Sequence, residues 1–137
     1  MNTRNWQIIL AVGDIIILIL FTIIGQADHQ TNDPNNPVGS LLLAGGPFIV
    51  AWLGAAFLLG AYRADVFTPR VMFTRSLTAW LIAAPIGIIL RSFAMGRVVV
   101  PLNFILAAYG FGGLFVLGWR IIFAFIVQWR QRAHAAK

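Results

Sequence analysis

Two charged residues stand inside long apolar stretches and are the first candidates for chemistry. Asp14 interrupts NWQIILAVGDIIILILFTIIG, and Arg120 interrupts FGGLFVLGWRIIFAFIV. On a helix, Asp14 lies eight residues beyond Trp6, about 12 Å along the axis, and Arg120 lies nine residues before Trp129, about 13 Å. A bare charge at such depth in a bilayer costs about 2.5 kcal/mol or more. Each must be paired, neutralised or turned toward water. Opposite charges at matching depth on separate helices can neutralise one another. If the last helix sits lower in the membrane, Arg120 instead snorkels to the headgroups. The pair has two readings. It is a proton, cation or substrate counter-ion site, or it is a clamp that fixes helix packing. No second acid lies close in sequence to complete a relay, and both readings stand open at this point.

The remaining polar inventory is thin. The chain has no cysteine and no glutamate, and its four acids are Asp14, Asp28, Asp33 and Asp65. That removes disulfides, thiolate metal sites and a cysteine nucleophile. Asp28 and His29, with Arg91 and Arg97 expected on the same side, form a candidate outer-face polar cluster. A His beside an Asp suits metal binding or base chemistry, but without a second clustered His a closed ligand set is hard to build. A solvated loop, with Arg91 paired to Asp28 across the face, is the plainer expectation. No catalytic residue, metal site or cofactor is expected. Thr22, on the face of Asp14, Tyr109, on the face of Arg120, and Pro85, which should kink its helix and free a carbonyl, are the residues expected to line any cavity. Trp52, Trp80 and Trp119 suit stacking on a flat ligand and equally suit packing.

These residues need a scaffold, and composition identifies it. Of 137 residues, 60% are hydrophobic and 10% charged; a soluble domain of that size has no interior large enough for so much apolar surface. Four stretches, about 6–25, 41–62, 73–90 and 101–127, approach or exceed the length needed to cross the hydrocarbon, and backbone groups in lipid must be satisfied within the segment, so each is a helix. The first is too long for a signal-peptide core and is read as a retained helix. Residues 26–40 form a polar loop without Lys or Arg, and residues 128–137 form a basic tail. Arg4, Arg63, Arg70, Arg75, Arg130, Arg132 and Lys137 fall on one side, against Arg91 and Arg97 on the other. The excess makes the first side cytoplasmic, with Trp6, Tyr62 and Trp129 as an interfacial belt. The net charge of +6 is therefore a membrane feature and does not point to nucleic acid. Small residues recur at Ala79, Ala83 and Gly87, at Ala56 and Gly60, and at Ala108 and Gly112, as close helix packing requires. The expected fold is all-α: one polytopic membrane domain, four transmembrane helices in an up-down bundle, both termini cytoplasmic.

With these residues in place, the chain resembles domain-of-unknown-function family 3054, small prokaryotic membrane proteins. The resemblance rests on Asp14, on Phe21-Thr22-Ile23-Ile24-Gly25 leading to His29, and on Gly46-Pro47-Phe48 opening the second helix. It continues through Gly87 to Arg91 closing the third helix and Gly118-Trp119-Arg120 in the fourth. Family members often carry Arg where this chain has Gln26, which weakens any idea of a basic group working with His29. The resemblance implies four helices in a bacterial or archaeal plasma membrane and no established activity. The function expected first is non-enzymatic binding or movement of a small solute or ion, by a homo-oligomer. A structural or accessory subunit of a larger membrane complex comes second, and a membrane enzyme third.

Overall fold

The computed structural model describes residues 3–29, 33–97 and 99–135. It is all-helical among the described residues. Helix α1 spans Thr3–His29, α2 Pro37–Leu58 and α3 Pro69–Ala94, with a short 3-10 turn at Ala64–Phe67 between the last two. The fourth crossing is compound: α4 (Leu102–Ala107), a π-helical turn (Ala108–Gly112) and α5 (Gly113–Ala135). All four crossings are long and apolar enough to span a membrane. Sequential helices are neighbours, α5 closes back on α1, and α2 against α3 is the most extensive contact. This is an up-down four-helix bundle.

The helix ends are set by local chemistry. Asn36 Oδ1 accepts the Gly39 N–H at 2.9 Å, and Pro37 at the first helical position brings its fixed φ where no N–H is needed. At the far end Gly60 takes φ +67°. The Gly60 N–H donates to Phe57 O at 3.1 Å and the Ala61 N–H to Ala56 O at 2.7 Å, which is a Schellman cap. The end of α3 repeats it: Gly96 has φ +62°, with Gly96 N–H on Phe93 O at 3.1 Å and Arg97 N–H on Ser92 O at 2.9 Å. Arg75 locks the α2–α3 turn by donating to Gly60 O at 2.9 Å and to both oxygens of Asp65 at 3.2 and 2.7 Å.

Several boundaries differ from the sequence expectation. Within the polar stretch 26–40, residues 26–29 continue α1 and residues 37–40 begin α2, and Gln26 donates to Ser40 O at 3.1 Å and Ser40 Oγ at 2.9 Å. Gly46-Pro47-Phe48 does not open α2 but lies well inside it. That helix stops at Leu58 and not at Tyr62, since Gly60 turns the backbone left-handed. Pro85 lies within α3 without ending it.

On α1 the buried residues are Trp6, Leu10, Asp14, Leu18, Thr22 and Gln26, at every fourth position. Four residues turn the helix by about 400°, so this stripe drifts by about 40° per step. It starts against α5, where Trp6 meets Phe123 edge-on at 5.7 Å, and ends against α2, where Gln26 meets Ser40. Ile8, Ile9, Val12, Ile16, Leu20 and Ile23 face outward, as lipid-facing residues do. The small-residue rows are packing sites. A Cβ on Gly87 would lie 2.6 Å from the Phe48 ring, and Cβ atoms on Gly112 and Gly113 would lie 2.6 and 2.8 Å from the Trp80 indole. That indole presses on the fourth crossing at its π turn and donates Nε1–H to Tyr109 O at 3.0 Å. A π turn breaks the regular ladder, and Trp80 supplies a donor there.

Candidate functional site: a buried aspartate–arginine layer

The bundle has two apolar cores separated by one polar layer. The core nearer the termini contains Leu10, Met72 and Phe123; the larger core contains Leu18, Trp52, Ala79, Trp80 and Val116. On α1 Asp14 falls between Leu10 and Leu18. On α5 Arg120 falls between Val116 and Phe123, and on α3 Ser76 falls between Met72 and Ala79. Helical spacing thus delivers one polar side chain from each of three helices to the same level.

The structure brings Asp14 and Arg120 into direct contact, both fully buried. Arg120 Nη2 donates to Asp14 Oδ2 at 2.6 Å, and Nε lies 3.1 and 3.2 Å from Oδ1 and Oδ2. Two further donors converge on Oδ2: the Trp52 indole Nε1–H at 3.0 Å and the Tyr62 hydroxyl at 2.6 Å. Arg120 Nη1 donates to Ala61 O at 2.9 Å and Ser76 Oγ at 3.2 Å, with Met72 Sδ at 4.0 Å. The guanidinium also lies over two aromatic rings, 4.8 Å from the Trp52 ring centroid and 4.7 Å from that of Tyr62, where the ring quadrupoles attract a cation. Every element of the arrangement satisfies a buried charge, as a low-dielectric interior demands.

The Schellman cap of α2 is part of the site. Gly60 reverses the chain so that Ala61 O aims at Arg120 and the Tyr62 ring folds back over it. The Tyr62 carbonyl in turn accepts Gln7 Nε2–H at 2.8 Å, which ties the turn to α1. Burial, followed by the negative charge of Asp14, pushes the Tyr62 phenol well above its ordinary value near 10, against a smaller opposing pull from Arg120.

Sequence reasoning gives Trp52 and Tyr62 other roles and does not single out Ser76 or the Ala61 carbonyl. Tyr62 was expected in an interfacial belt with Trp6 and Trp129. Only Trp129 is strongly exposed, at 73%, while Trp6 is 9% exposed and packs inside. The hydroxyl and indole donors could have been sought among aromatic residues at the depth of Asp14, but Tyr62 reaches that depth only through the left-handed turn at Gly60.

The other candidates are not gathered into one place. Asp28 is exposed, the side chain of His29 lies outside the described residues, and no ion pair joins Arg91 to Asp28 among the described residues. Arg91 instead stacks on Phe104, its guanidinium carbon 4.3 Å from the ring centroid. Thr22 Oγ1 donates to its own helix at Leu18 O, 2.8 Å away, and its side chain fills the space over Gly45. Tyr109 contributes its carbonyl to Trp80, and Pro85 lies on a different helix. An open groove of about 290 Å³ between α1 and α2 is lined by Ile23, Gln26, Ala27, Pro37, Val38 and Leu41, and by none of these three. No three-residue group of His, Asp and Glu among the described residues can hold a metal.

No curated protein and no solved structure matches the chain at a significant level. A family model does match, over residues 11–123, under the description Protein of unknown function (DUF3054). The matched stretch begins three residues before Asp14 and ends three after Arg120, so the whole polar layer lies inside it. Covering most of the chain, that match places this four-helix membrane protein in the DUF3054 family.

Proposed function

We propose that the protein is a structural or accessory membrane subunit in which the Asp14–Arg120 layer clamps the four helices. Movement of a solute or ion, the function expected first from the sequence, is the weaker reading. The observation that carries this choice is saturation. Asp14 and Arg120 are both 0% exposed, both Asp14 oxygens accept hydrogen bonds, and each Arg120 nitrogen has an acceptor. A cation entering here would have to displace Arg120 and strip donors from Trp52 and Tyr62. Breaking one partner from a buried pair costs about 3–5 kcal/mol. A transit site must be left as readily as it is entered, and this one is built to stay closed. The buried acid among the described residues is committed to Arg120, Trp52 and Tyr62, so chemistry is not proposed either. The setting proposed is the plasma membrane of a bacterium or archaeon, with the termini cytoplasmic and with copies of itself or other membrane subunits as partners.

Two measurements test the reading. Purification in mild detergent followed by mass spectrometry should recover a stoichiometric set of membrane partners or additional copies. In proteoliposomes, ion flux should match protein-free vesicles. An Asp14→Asn protein that melts like the wild type but abolishes a flux the wild type supports would overturn the clamp and restore the transport reading.

A further inference from the structure

The elbow between α3 and α4, on the face opposite the termini, holds a cation without a protein acceptor among the described residues. Arg91 lies in the last turn of α3, and its guanidinium carbon lies over the Phe104 ring, 4.3 Å from the centroid. The residue is half-buried, and none of its N–H groups donates to the protein among the described residues. Arg97 follows within electrostatic reach, its backbone fixed by the cap that ends α3. The negative end of the helix dipole offers these two cations about half a charge, and no ion pair neutralises either of them among the described residues. Around them the surface is strongly apolar: Phe93 is 79% exposed, Val99 79% and Leu102 69%. An arginine fork at the rim of such a belt lies where phospholipid headgroups lie.

We propose that Arg91 and Arg97 form a phosphate-binding site at the α3–α4 elbow, whose occupant is the headgroup phosphate of an anionic phospholipid. The planar guanidinium presents two parallel N–H groups that match two phosphate oxygens. The Phe104 ring beneath the guanidinium carbon shields that side of the group from water. Arg97 supplies the second positive charge, and an anion between the two removes their mutual repulsion. The apolar surface of Phe93, Val99 and Leu102 suits the acyl chains below the headgroup. Neither the clamp nor the proposed accessory role is needed for this site to exist.

The test is a thermal melt of purified protein in neutral detergent with added phosphatidylglycerol, phosphatidylcholine or inorganic phosphate, together with native mass spectrometry of retained lipid. Phosphatidylglycerol should raise the melting temperature and remain bound, phosphatidylcholine should do so much less, and Arg91→Gln/Arg97→Gln should weaken phosphatidylglycerol binding at least tenfold. Phe104→Leu, which leaves both charges in place, should weaken it several-fold and serves as the test if the double variant does not fold. An equal shift with inorganic phosphate alone, lost in the same variants, would support the site but assign it to soluble phosphate. Equal binding of phosphatidylglycerol by the wild type and the variants would overturn the proposal.

Discussion

At the scale of single residues the protein rests on one saturated ion pair, and its removal has a defined signature. Asp14→Asn leaves Arg120 buried without a counter-charge, and Arg120→Gln leaves Asp14 in the same condition. Each should lower stability by about 3–5 kcal/mol, read as a fall in the detergent melting temperature. The double variant Asp14→Asn/Arg120→Gln carries no buried charge and should recover a large part of that loss. Additive losses would show that the two residues are not coupled. Tyr62 adds a pH signature. Its phenol is pushed above the ordinary value near 10 in the folded state, so it keeps a proton that the unfolded chain gives up. Its contribution is complete below about pH 10 and is lost as pH rises beyond that. The alkaline melting curve of Tyr62→Phe should therefore fall less steeply above pH 10 than that of the wild type. The two ends of this network differ in legibility. Asp14 and Arg120 are visible in sequence because a charge in an apolar run is rare, and their depths can be compared by counting from Trp6 and Trp129. Trp52, Tyr62 and Ser76 are not, because aromatic and small hydroxyl side chains are ordinary in membrane helices and only the packed bundle aims their donors and acceptors.

At the scale of elements, glycine separates positions that pack from positions that face outward. Gly112 and Gly113 lie against the Trp80 indole, whereas a Cβ on Gly54 would meet nothing within 4 Å. Gly112→Ala should push Trp80 off its bond to Tyr109 O and cost about 1–3 kcal/mol. Gly54→Ala should leave stability unchanged or raise it by up to about 1 kcal/mol, through helix propensity. Equal effects in paired melts would refute the packing role given to the fourth crossing. Gly60 is a different case, since its φ of +67° penalises any side chain whatever space is present. The number and approximate centres of the helices are legible because hydrophobic length is nearly sufficient in lipid. The ends are less so. Polar composition at 26–40 signals a loop, yet helix α1 continues because Gln26 finds Ser40 as a partner. Apolar composition carries the expected second helix to Tyr62, yet it stops where Gly60 permits a left-handed turn. The π turn has no sequence signature beyond its glycines, and the Trp80 indole that packs on it comes from another helix.

At the scale of the whole molecule the two ends of the bundle are chemically distinct, and that asymmetry predicts orientation. Gln7 bonded to Tyr62 O and Arg130 lying 5.9 Å over the Trp6 ring place the start of α1, the α2–α3 turn and the end of α5 at one end. The Gln26–Ser40 contact and the Arg91–Phe104 stack mark the other. The first end carries Arg4, Arg63, Arg70, Arg75, Arg130 and Arg132, and the second carries Arg91 and Arg97. Short loops with excess Lys and Arg stay cytoplasmic, and acidic residues contribute little to this bias, so the pairing of Arg75 with Asp65 does not cancel it. The buried pair is neutral as a unit and leaves the count unchanged. The natural chain has no cysteine, so single introduced cysteines report side without background. Asn35→Cys, at an exposed position just before α2, should react with a membrane-impermeant maleimide on intact cells. Ala133→Cys, exposed near the end of α5, should react only after permeabilisation. Labelling in the reverse order would invert the bundle, move the Arg91–Arg97 elbow to the cytoplasmic leaflet and leave the clamp untouched, because a fully buried ion pair has no preferred side.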